Sequence, residues 1–486
     1  MKLQAGINLR DINPLHLIIL MGVLQLAVTL LSNGFVLSFD ESLWAFIGRN
    51  WFRHGLVPYS GGVDSQSPLF FAIFGLSDKL FGVNYWFPRV LGTICQSVGM
   101  LYLYKIADRV AGKQAGILAI TFYGLSVLWR ATGGQYVSYT ETYEVTFVII
   151  AIYYFIQADD KKGLFIAGCI AGVSLACRIS AVFAIAAIFC LSVYQHRMKT
   201  LFFCLGATAT YGAFLLLWAA LGINLYNMYI YDFADNLRAG SLYDHSAAWK
   251  LSQFSEKFLH TGIVLFYPLL VVYLFIKKKP DFFSLWLIFA FGGIVFIGEY
   301  TWLHLKELLP ALSLTGAFAV DHLLAYYKVA LVPVLLVIWV IFFPKTLEPL
   351  ANLKKLILHQ PNVEQEFCKA PYTRPDEESR KKLGWWVRDH TRADEKVYVA
   401  GFGSQVQVYS ERQSVYFYYM QTPLAKAKLF KDLLAHKPSV ILVPLFPEYK
   451  DYINADVRKF VDDVAAKYYT LNGCMYNYNV YRLRSN

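Results

Sequence analysis

The chain has 486 residues, 57% of them apolar and only 16% charged, with a formal net charge of +11 and a mean hydropathy of +0.41. Soluble globular proteins average about 25% charged residues, so the composition excludes an ordinary soluble enzyme and points to a polytopic membrane protein. Surplus Lys and Arg in such a chain mark cytoplasmic loops, which argues against nucleic acid as a partner. The 7 cysteines show neither CxxC nor Cys/His spacing, against zinc or redox chemistry. Cys95, Cys169, Cys177, Cys190 and Cys204 lie in apolar segments, where thiols pack as small apolar groups. Cys368 and Cys474 fall in the polar C-terminal part and are a candidate pair in an oxidising compartment.

In chain order, hydropathy predicts spans at 15–38, 89–106, 114–129, 141–157, 163–178, 179–195, 200–221, 259–276, 282–298, 306–326 and 329–343. About eleven helices result, and the first is long enough to cross a ~30 Å hydrocarbon layer. Lys2 and Arg10 precede a run that is too long for a cleavable signal and lacks a small-residue cleavage site. Loops after the even-numbered spans are short and basic: Lys105 to Lys113, Asp159-Asp160-Lys161-Lys162, His196-Arg197-Met198-Lys199, Lys277-Lys278-Lys279 and Lys328. They are expected in the cytoplasm with the N-terminus. The outer side then receives the 40–88 loop, the 130–140 and 222–258 loops, the 299–305 turn and the C-terminal part.

After Pro344 the composition changes, so residues 1–344 are expected to form the membrane domain, including the 40–88 loop. Residues 345–486 are expected to form a linker and a small extracytoplasmic α/β domain. Asp376-Glu377-Glu378 open a helix with an apolar face at Leu383, Trp386 and Val387. Strands are predicted at Lys396–Ala400, Val406–Tyr409, Val415–Tyr419, Val440–Val443 and Tyr476–Leu483, with helices at 424–436 and 455–467.

The chemistry-bearing residues gather on the outer side. Asp40 and Glu41 follow the first span and precede a loop rich in Trp, Tyr, Phe, Gly and Pro, which suits the membrane interface. Taken alone they also fit a solvated helix exit. Glu141 and Glu144 begin the fourth span, with Thr140 placed as a cap; a stabilised helix start is their plainer explanation. Arg178 interrupts the apolar run 163–193, and a charge inside a membrane segment is a functional candidate, though it can also snorkel to the interface. His304 and Lys306 open the tenth span beside Glu299 and Glu307, where a ligand-free ion network is the plainer reading. Arg89 follows Trp86-Phe87-Pro88, where an interfacial anchor would also serve. Carboxylates able to take a proton, facing cations able to hold phosphate, describe a group-transfer site.

These features in this order resemble the GT-C superfamily of polyprenyl-phosphate-dependent glycosyltransferases, most of all the branch with protein O-mannosyltransferases and the bacterial lipid A aminoarabinose transferase. Asp40-Glu41 matches the family's Asp-Glu motif. Gln66-Ser67-Pro68-Leu69 is similar to its Pro-Pro-Leu segment, and Phe87-Pro88-Arg89 to its Arg-Leu-Pro segment. Glu141, Arg178 and His304 to Pro310 fall at further family positions, and residues 383–410, with Trp386, Lys396-Val397-Tyr398 and Gly401, resemble the soluble tail. Two departures matter. Gln66 stands where relatives carry a phosphate-binding Lys, leaving that role to Arg178, Lys306 or His304, and Glu141 stands where many carry Asp. Trp385-Trp386 superficially resembles the oligosaccharyltransferase Trp-Trp-Asp motif, but its place on an amphipathic helix predicts core packing.

The resemblance implies an inverting glycosyltransferase that takes a sugar from a polyprenyl-phosphate donor to a lipid, glycan or protein acceptor at the outer face of the bacterial cytoplasmic membrane. Asp40 would be the base, and Glu41 and Glu141 would orient the acceptor or a metal. Arg89, Arg178, His304 and Lys306 would hold phosphate. A divalent metal ion (Mg, Mn or Zn) is an optional helper, with Asp40 and Glu141 as its ligands. The rivals are a flippase or transporter, which would need inverted repeats and broken mid-membrane helices, and a polysaccharide ligase or polymerase using pyrophosphate-linked donors.

Overall fold

In the computed structural model, residues 9–31, 35–129, 137–234, 247–259, 261–277, 281–297, 302–327, 368, 375–401, 403–415, 423–446 and 455–484 are described. The chain divides into two compact units. The first comprises Met1–Ser32, Arg89–Leu217 and Leu242–Ala351; the second comprises Asn33–Pro88, Trp218–Ser241 and Asn352–Asn486. The expected span 329–343, Glu299, Lys328 and the linker, apart from Cys368, lie outside the described residues.

Apolar helices build the first unit: α1 (Pro14–Leu31), then, after the second unit's α2 (Phe39–His54) and α3 (Pro68–Phe81), α4 (Trp86–Ala111) and α5 (Lys113–Ser126). It continues with α6 (Thr140–Ile156), α7 (Lys161–Cys177), α8 (Ala181–His196) and α9 (Thr200–Ala220). After the short α10 (Leu225–Met228) come α11 (Ala247–Leu259), α12 (Phe266–Lys277), α13 (Phe282–Ile297) and α14 (Leu309–Tyr327). Ten of the eleven expected spans thus coincide with helix. Among the described residues, four stretches are long and apolar enough to cross a bilayer: Pro14–Leu31, Trp86–Ala111, Ala181–Ala220 and Leu309–Tyr326.

Helix α1 shows how this unit suits lipid. Ile18, Met21, Gln25 and Thr29 are buried at helical spacing, while Leu15, Ile19, Leu20, Val23 and Leu24 are exposed. A helix whose outer face is more apolar than its inner one is matched to hydrocarbon rather than water. Close helix crossings rely on small residues, as is usual where lipid leaves no hydrophobic drive between helices. A Cβ on Gly168 of α7 would lie 2.1 Å from the Phe203 carbonyl oxygen of α9.

The second unit corrects three expectations. Residues 40–88 are largely helical rather than a loop, and they pack with the C-terminal segment. Ser38 begins α2 through a reciprocal capping box: the Glu41 amide donates to Ser38 Oγ at 3.4 Å, and the Ser38 amide donates to Glu41 Oε2 at 2.8 Å. Ser-x-x-Glu is the pattern that signals such a start. Gly55, at φ 70°, closes the helix in the left-handed conformation that glycine adopts most easily. The Arg49 guanidinium clasps Asp78 of α3 at 2.6 Å and donates to the Val408 carbonyl at 2.8 Å.

The C-terminal part holds α15 (Glu377–Asp389), capped by Asp376, then β1 (Val397–Val399), α16 (Ser404–Ser410), α17 (Pro423–Ala435), β2 (Val440–Pro444), α18 (Ala455–Tyr468), β3 (Tyr469–Met475) and β4 (Tyr478–Leu483). The sheet order is β1-β2-β4-β3, with β1 and β2 parallel and the other pairs antiparallel. Two expected elements differ. Val406–Tyr409 is helical, because a short run buried on every side gives no period by which to separate strand from helix. The single strand expected at Tyr476–Leu483 is the second arm of a hairpin, turned at Tyr476 and Asn477 with φ of 49° and 61°, as two-residue hairpin loops require. Trp386 packs partly on the core, while Trp385 is the more exposed of the pair.

Helix α16 grips the start of α2. Leu37 N donates to Tyr409 Oη at 2.9 Å, Gln405 Nε2 to the Leu37 carbonyl at 2.9 Å, and Ser404 Oγ to the Phe39 carbonyl at 2.9 Å.

Cys368 and Cys474 form a disulfide, and the other five cysteines are free. In denatured, unreduced protein five thiols are therefore expected to react with a maleimide, rising to seven after reduction; seven at the outset would remove the bridge. Asp64, buried in the turn between α2 and α3, accepts from Trp44 Nε1 at 2.7 Å. Burial pushes its carboxyl up to about 6, against the hydrogen bonds from Trp44 and Ser65. Above its unfolded value the fold retains a proton that the unfolded chain has lost, so stability falls as pH rises from about 4 through about 6. Asp64→Asn should raise the unfolding free energy at neutral pH by an amount on the order of 2–3 kcal/mol, read from denaturant melts, with the gain vanishing near pH 4.

Candidate active site

Three pieces of backbone in the first unit deliver charged groups to one buried point. The first is the opening turn of α6, where Glu141 and Glu144 are three residues apart and so share a helix face. The second is the break between α7 and α8. Arg178 leaves the helix in an extended conformation, φ −160° and ψ 135°, with its amide still bonded to the Ser174 carbonyl. The third is a 3₁₀ turn at His304–Glu307, which precedes α14. The span expected from residue 306 thus begins at Leu309, and His304, Lys306 and Glu307 lie ahead of it.

Arg178 is the hub. Its Nη1 pairs with Glu141 Oε1 and donates to Thr140 Oγ1 at 3.0 Å. Its Nε lies 3.8 Å from Glu144 Oε2 and 4.0 Å from Glu307 Oε1. Its Nη2 meets His304 Nε2 at 2.8 Å. That ring nitrogen also lies 4.0 Å from Glu141 Oε1. Thr140 does not cap α6 as expected; its hydroxyl donates to Glu141 Oε2 at 3.1 Å. Ser180 Oγ lies 3.1 Å from Glu144 Oε2 and 3.2 Å from Glu307 Oε1. Lys306 Nζ donates to Thr142 Oγ1 at 3.3 Å. Burial lowers the Lys306 ammonium to about 8, against the pull of Glu141. Burial also raises the Glu307 carboxyl to about 7, although Arg178 opposes the shift.

Glu141, Arg178, His304 and Lys306, all singled out from sequence, are therefore brought together. Arg89 belongs to the same unit but is fully buried, with Nη1 on the Thr29 carbonyl at 3.0 Å. That carbonyl lies in the last turn of α1, where backbone acceptors lack helical partners. Asp40 and Glu41 belong to the second unit. Glu41 is fully buried in the capping box, whereas Asp40, one residue earlier, is half-buried in the same first turn. Sequence reasoning noted Glu144 and Glu307 without giving them a role, and passed over Ser180. The signal for them was the repeated three-residue spacing, Glu141 to Glu144 and His304 to Glu307.

Among the described residues, no group of three or more His, Cys, Asp or Glu side chains is arranged to hold a metal ion. Glu141 is engaged at Oε1 by Arg178 and at Oε2 by Thr140.

A family model described as dolichyl-phosphate-mannose-protein mannosyltransferase matches residues 65–226, and no curated protein matches the chain. Among solved structures, ArnT from Cupriavidus metallidurans, bound to undecaprenyl phosphate, is similar with a TM-score of 0.64 and 11% identity, over 95% of this chain and 97% of that one. The chain has the GT-C fold. A second GT-C structure is also similar: the oligosaccharyltransferase AglB from Archaeoglobus fulgidus, in complex with an inhibitory peptide and a dolichol-phosphate. It has a TM-score of 0.54 and 11% identity, over 95% of this chain and 74% of that one.

The GT-C helices here hold Arg178 between three carboxylates, and losing the guanidinium would leave those charges buried with little compensation. Arg178→Met is expected to lower unfolding stability in detergent by about 3–5 kcal/mol. Adding Glu141→Gln should recover part of the loss, because the two sites couple; unchanged melting of the single variant would show that the pairing contributes nothing.

Proposed function

We propose that this chain is an inverting glycosyltransferase that moves one sugar from a polyprenyl-phosphate donor to an acceptor hydroxyl or amine at the outer face of the cytoplasmic membrane. The observation that carries the reading is the buried acid–cation cluster around Arg178, set within a GT-C fold. The ligands of the two similar structures, an undecaprenyl phosphate and a dolichol-phosphate, favour a lipid-linked donor. The basic short loops favour an N-terminus in the cytoplasm.

The donor is a phosphodiester joining the sugar to the polyprenyl chain. In a single displacement the acceptor oxygen or nitrogen bonds to the anomeric carbon as the bond from that carbon to the phosphate oxygen breaks. The electron pair leaves with the phosphate, which gains a negative charge, and the acceptor proton passes to a base. Attack opposite the leaving phosphate inverts the anomeric centre. Asp40 is assigned as the base: it sits in the first turn of a helix gripped at its start by α16, and its carboxylate is half-buried while that of Glu41 is sequestered. Arg178, Lys306 and His304 are assigned to the phosphate, with bidentate hydrogen bonding available from the guanidinium. Glu141 orients Arg178, and Glu41 fixes the helix that carries Asp40. Arg89 is reassigned from phosphate holding to anchoring the end of α1, on the strength of its bond to Thr29.

Asp40→Asn keeps the size of the side chain and removes the proton acceptor. Transfer from a radiolabelled polyprenyl-phosphate sugar to membrane extract should fall by about 10²–10⁴-fold, the usual contribution of a general base, while the melting midpoint stays within a few degrees. Full transfer by this variant would refute the assignment.

A further inference from the structure

Helix α3 turns polar side chains inward and apolar ones outward, the reverse of a helix in water. On its buried side Asp78 is clasped by Arg49 of α2 at 2.6 Å, and Ser77 Oγ accepts from Asn84 Nδ2 at 2.9 Å. Phe70, Phe71 and Phe74 complete that side. Gly75 lets α2 approach, since a Cβ there would lie 2.6 Å from the Gly48 carbonyl oxygen. The opposite face carries Leu69, Ile73, Leu76 and Leu80, three or four residues apart and therefore in one stripe. Leu76 is 42% exposed and Leu80 59%, and Phe81 continues the patch at 49%. Lys79 is exposed at the border of the stripe. A continuous apolar face of this kind marks an interaction surface.

The junction with α4 sets the depth of that face. The Phe81 ring lies 4.9 Å from the ring of Trp86 and 5.2 Å from that of Phe87. Asn84, which holds Ser77, also accepts from the Phe87 amide at 3.1 Å. Helix α4 is long and apolar enough to cross a bilayer, and it opens at Trp86, the residue type that settles at the rim of the hydrocarbon. The end of α3 is thus fixed at the level where α4 enters the membrane. With 14 residues, α3 is ~21 Å long, too short to cross a ~30 Å core. The side chains of the stripe also select lipid over a second helix. Contacts between helices in membranes favour small residues, and α3 points its Gly75 inward to Gly48 while presenting large aliphatic groups outward.

We propose that α3 lies in the bilayer interface beside the entry of α4, with Leu69, Ile73, Leu76 and Leu80 among phospholipid acyl chains. Lys79 keeps its ammonium at the level of the lipid phosphates, its stem long enough to reach them from the border of the stripe. Embedding one face in lipid while the other grips α2 makes α3 the membrane anchor of the capped helix above it. This inference is independent of the role assigned to Asp40.

The test places an environment-sensitive fluorescent amino acid, by stop-codon suppression, at Leu76 or at Leu80 of the full chain in phospholipid nanodiscs. A third variant carries it at Glu378, an exposed position on α15, and each is checked for unchanged melting. Two quenchers are compared: phosphatidylcholine brominated on its acyl chains, and aqueous iodide. An interfacial helix sinks its apolar face roughly 5–10 Å, so brominated lipid should reduce emission at positions 76 and 80 by on the order of twofold. Iodide should leave those two positions unchanged and quench position 378, where brominated lipid has no effect. Iodide quenching at 76 and 80 equal to that at 378 would place the face in water and overturn the proposal. Protection of both positions from both quenchers would overturn it too, because the face would then be covered by protein, whether a second copy or another part of this chain.

Discussion

A guanidinium surrounded by carboxylates inside a membrane-embedded helix bundle is the constraint from which the first unit's organisation follows. Arg178 cannot be left alone in that setting, and neither can Glu141, Glu144 or Glu307. Each requires the others, so the start of α6, the break between α7 and α8, and the turn before α14 must all arrive at one point. The helix break is part of the same solution. By stopping α7 at Cys177 and leaving Arg178 extended, the chain turns the arginine toward α6 and frees Ser180 to bridge two acids.

The second unit solves a different problem, that of holding an acidic helix start in a defined place. Glu41 is used up in capping, the turn that follows α2 is tied back by Asp64 and Trp44, and the far side of the helix is pinned by Arg49 to both Asp78 and Val408. A close approach of α2 to α3 is possible because Gly48 faces Gly75, where a Cβ on Gly48 would lie 2.4 Å from the Gly75 nitrogen. Asp40 lies beside Glu41, half-buried in the same first turn.

Much of the membrane part was legible from residue order alone. Apolar runs fell on ten helical segments, because in lipid every backbone group must be satisfied within its own segment, although α1 ends at Leu31 where residue 38 was expected and α12 begins at Phe266 where residue 259 was expected. The convergence of Glu141, Arg178, His304 and Lys306 was legible too, since a charge in an apolar run must find a partner at its own depth. What escaped was whatever depended on contacts distant in sequence. Residues 40–88 read as an interfacial loop because their helices are amphipathic and short, although Ser38 and Glu41 spelled a capping box. Val406–Tyr409 read as a strand because complete burial erases the period that separates helix from strand. Nothing local in the sequence reveals that the Arg89 guanidinium meets the last turn of α1.

The grip of α16 on α2 has a bearing on biogenesis. Ser404 and Phe39 are 365 positions apart, and Leu37 and Tyr409 are 372 apart. During synthesis the segment carrying Asp40 emerges early, but its clamp is made almost at the end of translation. Folding of so distant a pair waits on loop closure over most of the polypeptide. A ribosome-bound or truncated chain would therefore carry the start of α2 without its clamp, which is completed only once the final fifth of the molecule has been delivered and folded.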